Sequence, residues 1–143
     1  MVEQRSTEDP LEVLERRRRV LVTRDPETFA DLFADLFAAD GVIEMPFAAK
    51  GLPARLEGRE AIREFSARTR HMPYEIIDLR ARQVHRTSDP EVVIVELTTV
   101  GRVTTTGEPF EVPCIQVFRI RDGRILLFRD YVGAHTLPDL TAA

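Results

Sequence analysis

Apolar residues fall at i, i+3, i+4, i+7 and i+8 in Phe29, Leu32, Phe33, Leu36 and Phe37. That spacing marks one face of an α-helix, opened by Asp25-Pro26-Glu27 and closed by Asp40-Gly41. Within it, residues 30 to 33 and 34 to 37 both read Ala-Asp-Leu-Phe, a tandem repeat that extends the predicted helix by about one turn. An earlier start signal, Asp9-Pro10, opens a helix with Leu11, Leu14, Leu21 and Val22 on a looser stripe. Val42 to Phe47 alternates, with Ile43, Met45 and Phe47 on one side, and Pro46 confines this short strand to a sheet edge or end. Ala48 to Leu56, with Gly51 and Pro53, reads as a loop, and Gly58 to Arg70 as a third helix with Ile62 and Phe65 inward. From Tyr74 the pattern changes to β: strands at about Tyr74 to Arg86, Glu91 to Val103 and Phe110 to Arg121, then a closing strand to Val132. Helices followed by strands predict a single α+β domain, with the helices on one concave sheet face. Ile94, Val100, Ile115, Val117 and Leu127 are left on the other face, where a second copy of the same sheet would cover them, so a homodimer through the outer face is predicted.

The last hairpin holds the candidate chemistry. Its turn, Arg121-Asp122-Gly123, decides which side chains share a face, because one residue of slip inverts a strand. A two-residue Asp122-Gly123 turn sends Asp130 away from Gln116. A three-residue loop with a bulge at Gly123 gathers Cys114, Gln116, Phe118, Ile120, Leu126, Phe128, Asp130 and Val132 on one face, and puts Arg119 and Arg129 on the other. Charge sorting favours the second arrangement. A carboxylate on that mostly apolar face has its pKa raised by burial and suits proton transfer near neutral pH, and the Gln116 amide suits an oxygen that gains charge. The competing readings are structural: Asp130 paired with an arginine or capping the sheet end, and Gln116 bonded to Asp130 or to backbone. Ile43, Met45, Phe47, Phe65, Leu97, Thr99, Cys114, Phe118, Phe128 and Val132 form the expected apolar pocket wall, while Glu44 and Glu96 alternate away from it.

Composition narrows the classes. In 143 residues the formal charge is -4 and 43% are hydrophobic, which fits one globular domain and argues against a general nucleic-acid surface. The one basic run, Arg16 to Arg19, lies in a predicted helix where four consecutive residues spread around the axis, and reads as a solvated or subunit-pairing face. A single cysteine precludes an intrachain disulfide. No apolar run approaches the roughly 20 residues of a membrane span, and the polar start, Met1 to Pro10, is unlike a signal peptide, so a cytoplasmic location is expected. Met1 to Thr7 is expected to be a frayed tail. His71, His85 and His135 lack partners at metal-ligand spacing, so no metal site is expected.

Leu36-Phe37-Ala38-Ala39-Asp40-Gly41-Val42-Ile43-Glu44-Met45-Pro46-Phe47, Leu56-Glu57-Gly58-Arg59-Glu60-Ala61-Ile62, and Arg121-Asp122-Gly123-Arg124-Ile125 leading into Arg129-Asp130-Tyr131 together resemble the SnoaL-like polyketide cyclase group. That group lies within the nuclear-transport-factor-2-like and ketosteroid isomerase-like superfamily. The resemblance covers nearly the whole chain and implies a cone-shaped roll with a hydrophobic pocket and no cofactor. It places Met45 at the isomerase-like general base, a side chain that accepts no proton, and Gln116 at the isomerase-like oxyanion donor. Phe118 stands at a cyclase-like histidine. Leu97 and Thr99 stand where epoxide hydrolase-like members carry an arginine and a second aspartate, while Arg129-Asp130-Tyr131 matches those members well. The reading expected from these residues is a cofactor-independent isomerase- or cyclase-type enzyme that uses Asp130 on a hydrophobic, carbonyl-bearing molecule. The alternatives are a non-catalytic ligand-binding or accessory dimer, and an epoxide hydrolase-like enzyme with incomplete machinery.

Overall fold

The computed structural model describes residues 9–48 and 50–133, so the expectations for Met1 to Thr7 and for His135 lie outside the described residues. Two helices come first, α1 (Pro10–Leu21) and α2 (Pro26–Ala34), each with a proline in its first turn. The Asp9 carboxylate accepts from the Leu11 amide at 3.0 Å and Asp25 from the Thr28 amide at 2.9 Å, filling donors that a helix start leaves open. Next come β1 (Phe37–Glu44), β2 (Arg55–Glu57), α3 (Arg59–Thr69), and the long strands β3 (Tyr74–Arg86), β4 (Val92–Val103), β5 (Pro109–Arg121) and β6 (Arg124–Val132). They form one six-stranded sheet in the order β2-β1-β6-β5-β4-β3, antiparallel except where β1 runs parallel to β6. Register shifts near Ile77 and Arg82 in β3 bend the sheet around its cover. The architecture is α+β, with three helices packed on a curled, open sheet.

Three local expectations are corrected. α2 stops at Ala34 and Phe37 already belongs to β1, where it pairs with Ile125; the Ile125 amide also donates to the Leu36 carbonyl at 2.9 Å. Pairing with β6 therefore overrides the helical periodicity, and the two copies of Ala-Asp-Leu-Phe adopt different structures. Phe29 still stacks on Phe33, and Phe33 meets Phe37 edge-on, with ring centroids 5.4 Å apart at each step, but Leu32 is left 45% exposed. β1 begins at Phe37 and not at Val42, and part of the predicted loop is β2, which pairs Leu56 with Ile43.

The core lies between the helices and the concave sheet face. Val13, Phe29, Phe33, Phe37, Ile62, Val93, Leu97, Val112, Phe118, Ile120 and Ile125 are buried there. Along β4 and β5 the inward residues alternate as predicted, from Val93, Val95 and Leu97 to Val112, Cys114, Gln116, Phe118 and Ile120. Gln116 is the polar exception on β5, and it leads to the site.

Candidate functional site

Gln116 and Asp130 sit directly opposite each other across β5 and β6, and Gln116 Nε2 donates to Asp130 Oδ1 at 3.2 Å. They meet by a different route from the one expected. The loop is the two-residue turn Asp122-Gly123, with Arg121 opposite Arg124 and Ile120 opposite Ile125. Both turn residues are left-handed, at φ 51° and 74°, the requirement of a type I′ hairpin. Alone, this turn would carry Asp130 to the far face. The register then shifts so that Arg119 pairs with Leu127, and Leu126 becomes an extra residue in β6. That bulge inverts parity a second time and restores Phe118 opposite Phe128, Gln116 opposite Asp130 and Cys114 opposite Val132. Leu126, expected on the inner face, forms the bulge instead.

A third residue completes the arrangement. Arg17, expected on a solvated or subunit-pairing face, is 3% exposed within the single chain. Its Nη1 donates to Gln116 Oε1 at 2.5 Å. α1 turns Val13 and Arg17, one helical turn apart, toward the sheet. Beneath the guanidinium, Phe118 and Phe128 stack with centroids 4.8 Å apart; Arg17 Cζ lies 4.6 Å from the first ring centre and 5.4 Å from the second. A cation held over aromatic faces recovers part of its lost hydration. The result is a buried chain in which Arg17 donates to Gln116 and Gln116 donates to Asp130, ordering both ends of the amide. No described group accepts from Arg17 Nε, which is buried from water.

Burial pushes the Asp130 carboxyl up to about 6, against the opposing effects of the Gln116 hydrogen bond and the Arg17 charge. Burial also lowers Arg17 to about 10, so it remains a cation at neutral pH. The neighbouring Cys114 thiol is pushed up to about 11 by burial and by the Asp130 charge, and stays neutral. The trio therefore contains one fixed positive charge and one carboxyl that exchanges its proton close to physiological pH.

Of the expected wall, Ile43, Leu97, Cys114, Phe118 and Phe128 are buried, and Met45, Phe65 and Val132 pack half-buried against them. The Thr99 hydroxyl lies 3.8 Å from Cys114 Sγ. Phe118 is wholly enclosed and forms a floor under Arg17. Phe47 stands apart: it is 65% exposed and meets Tyr131 edge-on at 5.6 Å, beside a residue paired with Ile115 of the outer face. Glu44 and Glu96 point outward as expected, bonded to Arg129 at 2.9 Å and His85 at 2.7 Å.

Arg17 also faces a cleft. This cleft, of about 200 Å³ between α1, β3 and β4, is lined by Leu14, Arg17, Leu79, Val95 and Leu97, among others. Three larger hollows are present. One of about 570 Å³ surrounds Arg16, Arg19 and the Asp122-Gly123 turn, one of about 480 Å³ is lined by Phe47, Leu97, Cys114, Tyr131 and Val132, and one of about 320 Å³ lies between α2 and α3 by Leu32, Arg59 and Arg63. None of these hollows, the cleft included, is lined by Gln116 or Asp130, and only the cleft is lined by Arg17, so size is a poor guide to the chemistry here. Among the described residues, no cluster of three His, Cys, Asp or Glu side chains is arranged to hold a metal ion, and no helix is long and apolar enough to cross a membrane.

Comparison with known proteins agrees with this architecture. Residues 14–128 match the SnoaL-like domain family. An uncharacterized PhzA/B-like protein from Pseudomonas aeruginosa is 37% identical over 100 residues, covering 69% of each chain. The crystal structure of a protein from Bacillus subtilis named as a "putative isomerase" superimposes with a TM-score of 0.81 at 28% identity, covering 94% of this chain and 93% of that one. A Catenulispora acidiphila protein with a ketosteroid isomerase-like fold, solved in complex with trimethylamine, gives 0.66 at 25% identity over 87% and 86%.

Proposed function

The chain belongs to the SnoaL-like domain family, and from that premise we propose that it is a small-molecule enzyme of isomerase or cyclase type in which Asp130 moves a proton to and from a hydrophobic, carbonyl-bearing substrate. The fold alone does not select this chemistry, since one scaffold of this kind hosts several activities. The observation that carries the reading is the Asp130 carboxyl itself, half-buried on an apolar face, titrating near 6 and fixed in orientation by Gln116. A base of that strength removes a proton activated by an adjacent carbonyl and, once protonated, returns it at a neighbouring atom. Gln116 spends its carbonyl on Arg17 and an N–H on Asp130, so its part is to hold the carboxylate in place. The test is deuterium exchange at the carbon next to the carbonyl in a panel of hydrophobic ketones, followed by NMR. Asp130→Asn is expected to lower the rate by roughly 10²- to 10⁴-fold, and an unchanged rate refutes the assignment.

A second reading is supported by specific positions. Met45, Leu97 and Phe118 occupy the inner face without acid or base groups. A non-catalytic ligand-binding or accessory protein would keep the pocket and show no exchange even in the wild type. In either case the outer face leaves Ile77 50% and Ile115 48% exposed, and its proposed cover is a second copy of the chain.

A further inference from the structure

Arg17 is unusual in what it lacks. It is buried and charged, Nη1 is committed to Gln116, and Nε finds no acceptor among the described groups. A buried guanidinium with an unfilled donor is costly unless something completes it. The cleft that Arg17 lines offers only Leu11, Leu14, Leu79, Ala81, Val84, Val95 and Leu97 apart from the charged pair at its mouth, Glu15 and Arg18, and Arg18 is already bonded to Asp78 of β3 at 3.1 Å. An apolar cleft ending at an incompletely paired arginine selects a ligand with an apolar body and an oxygen that bears negative charge.

We propose that this site takes a small apolar carboxylic acid, its carboxylate docked on Arg17 in the cleft, with one proton taken up from solvent by Asp130 as the ligand binds. The inference rests on the assignment of Asp130 as the titrating group of the site, and it requires no turnover. The coupling follows from the chain of hydrogen bonds. In the free protein the Arg17 charge favours ionised Asp130. A carboxylate on Arg17 cancels that support and adds a like charge nearby, so the carboxyl that Gln116 holds becomes neutral. The other groups around it do not compete. Cys114 of β5 stays a thiol, the cleft residues of β3 and β4 are apolar, and Glu44 of β1 faces the other side, against Arg129. Binding of this kind therefore leaves Asp130 protonated, through Arg17 and Gln116, without the ligand touching the carboxyl.

Isothermal titration calorimetry with phenylacetate and phenylacetamide tests the proposal. Phenylacetate is expected to bind at least about tenfold more tightly than the amide, as a charge-assisted contact requires. Its affinity should fall by about tenfold per pH unit above pH 7, and buffers of different ionisation enthalpy should report one proton taken up. Asp130→Asn should keep the preference for the acid and lose both the pH slope and the proton uptake, and Arg17→Met, with its fold checked by NMR, should lose the preference. Equal binding of acid and amide, absence of binding by either, or a flat pH profile in the wild type overturns the proposal. If proton-coupled binding holds while Asp130→Asn leaves deuterium exchange unchanged, only the catalytic reading falls.

Discussion

Asp130→Asn should make the protein more stable, and only where Asp130 is ionised. In the unfolded chain the carboxyl titrates near its ordinary value of 3.8, and in the folded protein it titrates at about 6. The folded state thus binds the proton more tightly, and its stability is fully present below 3.8 and falls as pH rises through 6. At about 1.4 kcal/mol per pH unit, the gap amounts to about 3 kcal/mol of instability at pH 8 that is nearly absent at pH 4. Asparagine is close to the neutral acid in shape and keeps an oxygen to accept from Gln116 Nε2, so the 3.2 Å bond survives. The carboxylates with lowered pKa, Glu44 and Asp78 among them, are present in both proteins and cancel in the difference. Urea unfolding at pH 8 and pH 4 measures this directly. The variant should gain about 3 kcal/mol at pH 8 and little at pH 4. An equal or lower stability at pH 8, or the same difference at both, would show that Asp130 is not held ionised at a cost. A gain in stability together with lost activity is the pattern expected of a residue kept for function.

Three further outcomes follow from named contacts. Arg17→Met removes the cation that favours ionised Asp130, so a ¹³C carboxyl titration by NMR should place Asp130 above its wild-type value of about 6; an unchanged or lower value contradicts the chain of hydrogen bonds. Gly101→Ala sets a methyl group 2.4 Å from Phe110 Cζ and 2.8 Å from the Glu75 carbonyl oxygen, where the backbone cannot yield cheaply, so denaturant unfolding should show a loss of about 1–3 kcal/mol. Ile115→Asp puts a charge on the outer face where Ile115 is 48% exposed, so sedimentation should find a wild-type dimer and a variant monomer; a monomeric wild type removes the proposed self-association.

What was legible in the sequence was the part governed by long, regular patterns. Tyr74–Arg86 was readable to the residue, and β4, β5 and α3 to within a residue or so. The failures lie where distant pairing decides. Ala-Asp-Leu-Phe occurs twice in tandem, once inside α2 and once across its end into β1, so no local propensity separates the copies. What separates them is β6, which takes Phe37 as a strand partner and so ends the helix three residues earlier. The hairpin shows a subtler limit. Asp122-Gly123 is a readable two-residue turn, but the bulge at Leu126 has no signature of its own, because a leucine among strand formers fits a regular strand equally well. Only the burial of a whole face selects it. Without the bulge, Phe128 would leave its stack with Phe118 and Arg129 would enter the core. Charge sorting therefore groups Cys114, Gln116, Phe118, Phe128, Asp130 and Val132 correctly, but a bulge at Leu126, and not a three-residue loop, puts them there.

The arginine run shows how a sound premise can lead to the wrong consequence. Four consecutive helical positions do spread around the axis, at about 100° each. On a helix that packs against a sheet, that very spread forces one of the four inward. The expected stripe of Leu11, Leu14, Leu21 and Val22 does not pick it out; the structure buries Val13 instead, with Arg17 one turn on from it, leaves Val22 exposed, and sends Arg18 to the exposed Asp78 carboxylate. A buried guanidinium requires polar partners on the opposing face, and the inner face of the last hairpin holds two, Gln116 and Asp130. Each half of the chain thus presents a local anomaly, an arginine that must face the core and a carboxylate on an apolar strand. Neither is interpretable alone, because each by itself is an expensive unpaired charge. Taken together they are one feature, a charge pair bridged by an amide, and the sequence separation of 99 residues between Arg17 and Gln116 is why no motif of contiguous residues reveals it.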